Sequence, residues 1–438
     1  MSALFVTART PMHVIVLGAG VAGVATAWYL RAAGARVTVI ERQPGAALET
    51  SFANGGQISV SHPEPWSSPA TLRQLPGWLL RRDAPIRVRP RLSPAQWSWA
   101  LAFLHECGSR RHQRNTRATA ALARHSLACL RALRAELDLP YDAATLGTLH
   151  LFRGPQATAE AHVRAAHLRT LAIRAEALDR TQLLAQEPAL ATAHDIVAAI
   201  HAPDDESGDV HLFTTALAVR AAQAGVDFRY ATTVLGLEHD GQRMHGVRVR
   251  CSDATGSSEE CLRADHSVLC LASASRLLLP RVAGRLPIWP LHGHSLTLPI
   301  RDPTQAPRVS LTDEARRIVC TRLGDRLRVA GMAELAGMRT PAAPLPVDTA
   351  RCAQLLRWAE EMFGGSFDAA EAEFWSGARP ATPSNLPRIG PSRLGRLWFN
   401  CGHGSLGWTL ACGSAQALAE LLHGRPAPVA GFPFSGAA

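Results

Sequence analysis

Near the start of the chain the run Gly18-Ala19-Gly20-Val21-Ala22-Gly23 has the spacing of a turn that cradles a pyrophosphate. Gly18 permits the tight turn, Gly20 lets backbone amides approach phosphate oxygens, and Gly23 lets the next helix pack closely on the preceding strand. Glu41 follows 18 residues after Gly23. A carboxylate at about that separation accepts bonds from ribose hydroxyls and repels a 2′-phosphate. Three glycines alone are a weak signal, so the elements around them decide. HVIVL at 13–17, ending in Val16 and Leu17, reads as a buried strand; 21–33 reads as a helix closed by Gly34; 36–40 reads as a second strand ending at the acid. That order defines a dinucleotide site without separating NAD from FAD.

Two further loops carry similar chemistry. After Arg42, the stretch 49–57 holds Ser51, Asn54, Gly55, Gly56 and Gln57. It can supply amide and hydroxyl donors beside a pyrophosphate and an isoalloxazine, or form an ordinary surface turn. Near the other end, Gly404, Ser405, Leu406, Gly407 and Trp408 lead into a helix expected to reach 422. Amides at such a helix start favour negative charge. Between these sites Arg379 stands in WSGARPATP, bounded by Pro380 and Pro383. Its planar fork suits a carboxylate, whether that of a substrate or of a structural ion pair. His292 and His294 share a strand and read as surface or pocket-wall groups. With no C-x-x-C and no H-E-x-x-H, no metal site is expected.

Composition narrows the classes. At about 150 residues per domain, 438 residues imply two or three packed units, and 47% hydrophobic with 19% charged residues implies a folded globular chain. All 46 basic residues are arginine, giving a net charge of +10. The absence of lysine excludes a pyridoxal Schiff base, a Walker loop and a kinase strand lysine. The arginines are spread without a reader motif, so nucleic acid is not an expected partner. Nine cysteines without a pairing pattern fit a reducing, cytoplasmic setting. No apolar run of about 18 residues exists to span a membrane. Residues 1–11 lack the apolar core of a secretion signal and read as an N-terminal extension.

Taken together, six ordered segments resemble the D-amino acid oxidase and glycine oxidase superfamily of FAD-dependent oxidoreductases, and within it the bacterial D-amino acid dehydrogenase small subunits. They are VLGAGVAGVATAWYL at 16–30, GAALETSFANGGQIS at 45–59, PDDESGD at 203–209, GMAELAG at 331–337, WSGARPATP at 375–383 and NCGHGSLGWTLACGSA at 400–415. The resemblance implies an α/β chain in which an FAD-binding Rossmann-like domain is interleaved with an α+β substrate domain containing a mostly antiparallel sheet. The cofactor domain is expected over 12–85, 205–275 and 370–425, the substrate domain over 86–204 and 276–369, and a surface-lying tail over 426–438. Helices are expected at 117–137, 157–178 and 209–224, and strands at 286–300 and 316–330.

The same resemblance implies hydride transfer from the α carbon of a D-amino acid to flavin N5, followed by hydrolysis to a 2-oxo acid and ammonia. It places the adenosine half at Gly18, Gly20, Gly23 and Glu41, and Arg379 as the substrate-carboxylate anchor. The electrons are expected to pass to a quinone or respiratory acceptor. Three positions depart from the family pattern: Ala272 replaces a glycine, His294 a tyrosine, and Ser384 an aspartate. The methyl of Ala272 is expected to crowd the cofactor, and His294 is expected to help hold the carboxylate. Alternatives are a peroxide-producing glycine or sarcosine oxidase, a D-hydroxyproline dehydrogenase and a degenerate flavoprotein. Residues 66–111, with Trp66, Trp78, Trp97 and Trp99 among arginines, read either as a peripheral contact with anionic membrane on the inner face or as a buried wall of the substrate domain.

Overall fold

The computed structural model describes residues 11–80, 86–89, 92–253, 256–335, 337–338 and 345–434. Residues 1–10 of the N-terminal extension, Arg81, Arg82, Arg91 and the last four residues of the tail lie outside them, as do the side chains of Trp78, Leu79 and Leu80.

Strand His13–Leu17 lies inside a six-stranded sheet ordered Arg388–Pro391, Leu397–Cys401, His266–Leu269, His13–Leu17, Arg36–Ile40, Asp227–Arg229. All pairings are parallel except the outermost, between Arg388–Pro391 and Leu397–Cys401. Parallel strands are buried on both faces, which is why HVIVL is apolar throughout. Val14 and Val16 pack with Val24 and Ala27 of helix Val21–Ala32 and with Leu410 of helix Gly407–Leu422. Ile15 and Leu17 face the other way, against Val247 and Val249. Those valines belong to an antiparallel meander, Thr232–His239, Met244–Asp253 and Gly256–Leu262. Gly34 ends the first helix at φ +94°, a conformation that costs glycine little.

The second sheet has nine strands. Eight follow the order Glu373–Ala381, Trp289–Pro299, Arg326–Leu335, Ile318–Leu323, Ser310–Asp313, Thr148–Arg153, Ile196–Ala202, Glu176–Asp179, and Ile86–Val88 pairs with Arg326–Leu335. Only the last pairing and that of Ser310–Asp313 with Thr148–Arg153 are parallel. One face is covered by helix Thr349–Phe363, where Leu355, Trp358 and Met362 meet Leu296, Leu298 and Val329.

Several expectations need correction. Strand Glu373–Ala381 was placed in the cofactor domain, yet it pairs with Trp289–Pro299 along its whole length and edges the nine-stranded sheet. The helix expected at 117–137 spans Ser109–Glu136, starting after Gly108. Although assigned to the substrate domain, it packs on the cofactor unit. A Cβ at Gly413 would stand 2.7 Å from Ser126, so the two helices cross at a position that only glycine allows. The helix expected at 157–178 stops at Thr170. The strand expected at 316–330 is a hairpin, Ile318–Leu323 and Arg326–Leu335, turning at Gly324 with φ +61°. The tail is irregular but not wholly surface-lying, because Val429 and Phe432 are buried against the cofactor unit.

Candidate active site

Between the two sheets opens a cavity of about 750 Å3, within the usual range of roughly 300–1,000 Å3 for ligand sites. On its cofactor side the glycine turn behaves as its spacing implies. Gly18 has φ +104°, and a Cβ there would stand 2.9 Å from the Cys270 carbonyl oxygen. A Cβ on Gly23 would fall 1.9 Å from the Gly18 carbonyl oxygen. Gly20, Val21 and Ala22 line the cavity, presenting the start of helix Val21–Ala32 to it. Val16 and Leu17 do not line it; they are buried in the sheet and hold the turn.

Glu41 lines the cavity, and its carboxylate accepts the Ala19 amide at 2.8 Å and the Gln43 amide at 2.9 Å. Each oxygen keeps a lone pair for a ribose hydroxyl. Burial pushes this carboxyl up, and the two amides partly offset that. Arg42 also lines the cavity and pairs with Glu49. Ser51 accepts the Val21 amide at 3.1 Å, tying the second loop to the first.

That second loop is more than a phosphate turn. Thr50 donates to the Ala378 carbonyl at 3.0 Å, Ser295 to Ala53 at 2.7 Å, and Thr321 to Gly55 at 2.8 Å. Arg328 donates to the Asn54 carbonyl at 3.2 Å. Gln57 donates to Ser310 Oγ at 2.9 Å and to the Leu311 carbonyl at 3.0 Å. Residues 50–57 thus lie across five strands of the substrate sheet and form the seam between the units. Asn54 Oδ1 accepts the Gly56 amide at 2.9 Å, shaping a turn in which Gly56 takes φ +73°.

At the C-terminal end, Gly404, with φ +57°, and Ser405, Leu406 and Gly407 line the cavity ahead of helix Gly407–Leu422. Trp408 borders it too, but its ring packs on Phe213 with centroids 4.5 Å apart, and its Nε1 donates to the Gly208 carbonyl at 3.3 Å.

Arg379 projects into the cavity from strand Glu373–Ala381. Its Nη1 donates to the Met332 carbonyl at 2.8 Å and its Nη2 to the Gly331 carbonyl at 3.4 Å. No carboxylate pairs with it among the described residues. Burial lowers this guanidinium to about 10, so it stays charged at neutral pH. An aimed, uncompensated guanidinium in a cavity is suited to an anionic group arriving from outside.

His294 borders the cavity, but the strand pairing separates its ring from Arg379. Gly293 lies opposite Gly377, and His294 opposite Ser376. Arg379, two residues from Gly377, therefore shares the face of Gly293 and not that of His294. The His294 Nδ1 stands 2.7 Å from Ser376 Oγ, and burial lowers the ring to about 4. Both residues border the cavity, but from opposite faces of the pairing, because successive residues of a strand alternate.

Two other departures find local explanations. Ala272 sits at φ +48°, left-handed backbone natural to the glycine it replaces. Ser384 Oγ accepts the Leu386 amide at 3.3 Å, filling the turn role open to an aspartate. The segment 203–209 is structural: Asp205 accepts Ser59 and Ser61, Glu206 pairs with Arg131 and Arg134, and Asp209 caps helix Val210–Gln223. Sequence reasoning missed His62 and Glu314, which line the cavity from distant segments and carry no periodic signal, while Trp66, read as a membrane contact or a wall of the substrate domain, lines it too.

The chain matches the family of FAD dependent oxidoreductases over residues 13–421, and it belongs to that family. It is 48% identical over 418 residues to a D-amino acid dehydrogenase of Phenylobacterium zucineum (strain HLK1), covering 95% of each chain. It is 46% identical over 424 residues to a D-amino acid dehydrogenase of Dechloromonas aromatica (strain RCB), covering 97% of this chain and 99% of that one. Its fold is similar to the crystal structure of glycine oxidase from Geobacillus kaustophilus, with TM-score 0.71 and 20% identity, over 97% of this chain and 98% of that one. The protein is an FAD-dependent oxidoreductase. The cradle at Gly18, Gly20 and Gly23, the acid Glu41 and the two amide-bearing loops fit that cofactor.

Proposed function

We propose that the protein dehydrogenates a D-amino acid, with Arg379 holding the substrate carboxylate. The observation that carries this reading is the guanidinium itself: among the described residues it bonds only to two carbonyls, and it lines the same cavity as the glycine turn. Bound FAD supplies the hydride acceptor for the α carbon. Arg379 fixes the carboxylate, the cavity walls fix the side chain, and one enantiomer then turns its α hydrogen toward the cofactor. The resulting imine hydrolyses in water to a 2-oxo acid and ammonia. The curated relatives named D-amino acid dehydrogenase support this substrate class.

Anaerobic mixing of flavin-loaded protein with a panel of D-amino acids, D-hydroxyproline included, tests the reading by bleaching of the flavin. Arg379→Ala should keep the flavin and lose apparent substrate affinity at least about tenfold. No bleaching by any substrate would point to a non-catalytic flavoprotein, and peroxide release in air would point to an oxidase.

The electron acceptor is proposed to be a quinone or another respiratory carrier, met at an anionic bilayer on the cytoplasmic face. Helix Pro94–Glu106 supports this reading, because Trp97, Leu101 and Leu104 form an exposed apolar stripe at helical spacing. Arg110 and Arg111 follow it at the start of the next helix, a composition suited to headgroups. Trp99, on the opposite side of the same helix, is buried and donates to the Ala381 carbonyl at 3.0 Å. Among the described residues no helix is long and apolar enough to cross a membrane. Co-sedimentation with phosphatidylglycerol vesicles at low salt should be lost in Trp97→Ser/Leu101→Ser. Equal sedimentation of both forms would remove the bilayer contact.

A further inference from the structure

A buried charged cluster stands in the wall of the cavity that Arg379 also lines. Glu314 follows strand Ser310–Asp313 and pairs with Arg164 Nη1 at 2.7 Å and His150 Nδ1 at 2.8 Å. His62, on the segment that leaves the seam loop, has its Nδ1 3.5 Å from Arg164 Nη2 and 3.8 Å from Glu314 Oε1. Its ring lies parallel to that of His150, with centroids 6.0 Å apart. The segment is clamped from behind as well: Ser61 Oγ lies 2.6 Å from His150 Nε2 and 2.5 Å from Asp205 Oδ2. His62 is therefore held in one orientation by groups that do not touch the cofactor cradle.

Three carboxyl and imidazole groups so close together resemble a metal site, since ligand atoms of His62, His150 and Glu314 all lie within 4.8 Å of one another. The Arg164 guanidinium already occupies the cation position beside Glu314, so the cluster works as a fixed polar wall.

The register places this wall relative to Arg379. Asp313 pairs with Ile318, and Ile318 packs against Gly331, whose carbonyl accepts Arg379. Glu314 thus lies beside the level of Met332, two strands away, which at about 4.8 Å per strand is roughly 10 Å. His62, Glu314 and Arg379 line one cavity, so a substrate whose carboxylate rests on Arg379 shares that space with this wall. Burial lowers the His62 ring to about 4, so it meets the cavity as neutral imidazole. Arginine can only donate, so the Nδ1 beside Arg164 accepts and the proton resides on Nε2. No partner is recorded for Nε2 among the described residues.

We propose that His62 selects the side chain of the substrate, its Nε2–H donating to a neutral acceptor such as an amide or hydroxyl oxygen. This rests on the reading of Arg379 as the carboxylate anchor and of a D-amino acid as substrate. Glu314 and Glu64 are already paired with Arg164, so the wall offers a neutral donor and neutral polar side chains are the favoured class.

The test compares near-isosteric pairs, D-glutamine against D-methionine and D-threonine against D-valine, by kcat/KM in wild type, His62→Phe and His62→Gln, each assayed per bound flavin. Wild type should favour the acceptor-bearing member of each pair. His62→Phe should lower that preference about tenfold, the usual loss of one buried hydrogen bond, and His62→Gln should largely retain it. If His62→Phe fails to hold flavin, His62→Ala carries the same comparison. Bleaching of wild type with a preference unchanged by substitution overturns this inference alone. No bleaching of wild type by any D-amino acid overturns the substrate reading and this inference with it.

Discussion

The guanidinium of Arg379 lies where a side chain on Gly293 would begin: a Cβ at 293 would fall 2.4–2.6 Å from its nitrogen and carbon atoms. Glycine at 293 is thus a condition for the arginine to reach the Met332 carbonyl. Gly293→Ala should displace the anchor and raise KM for a D-amino acid at least about tenfold with flavin content unchanged. His294→Gln, on the other face of the same strand, should change KM less than about threefold. Steady-state kinetics on the two variants decide between them. Equal effects would mean that the two residues act on one face after all.

The seam loop makes a compensation experiment available. A Cβ on Gly55 would stand 2.5 Å from Val319 Cγ2. Gly55→Ala should therefore push the loop off the substrate sheet and reduce the flavin retained after gel filtration. Adding Val319→Ala should restore it, because the obstacle is a methyl group and not backbone. Failure of the double variant to recover flavin would place the fault in the turn itself.

Ala272, at φ +48°, holds an L side chain in left-handed backbone, at a cost of about 1 kcal/mol. Ala272→Gly removes that strain but gains entropy in the unfolded chain, so the net stabilisation should be about 0.5 kcal/mol. A rise in Tm of roughly 0.5 °C, read from flavin release on heating, is expected. A fall in Tm would show that the methyl is well packed.

Burial lowers His62, His294 and His403 each to about 4 from an ordinary 6.5. Their folded values are depressed, so the unfolded chain takes up these protons first. The stability they contribute is complete above pH 6.5 and is lost as pH falls toward 4. Glu41 and Asp205, pushed up by burial, work in the opposite sense, so a single variant isolates the effect. His403, buried with its Nε2 3.0 Å from Ser414 Oγ, is the simplest choice. Urea unfolding of His403→Gln should lose stability between pH 6.5 and 4 less steeply than wild type, by about one proton. Parallel pH profiles would refute the shift.

Local chemistry made the first half of the site legible in the sequence. Gly18, Gly20, Gly23 and Glu41 are close along the chain, and the constraints on them, a left-handed turn, a close helix approach and an acid at a strand end, act over a few residues. The apolar strand at 13–17 and the helix after it follow from the same short-range logic. Tertiary structure decided the rest. Strand Glu373–Ala381 joins the substrate sheet because its partner lies some eighty residues away at Trp289–Pro299, a pairing that no local pattern encodes. The strand's alternation then sets Arg379 and His294 on opposite faces of that pairing, although both border the cavity. His62 and Glu314 meet only through the crossing of two distant segments, because hydrogen bonds and burial between remote parts of the chain exist only once the fold has closed.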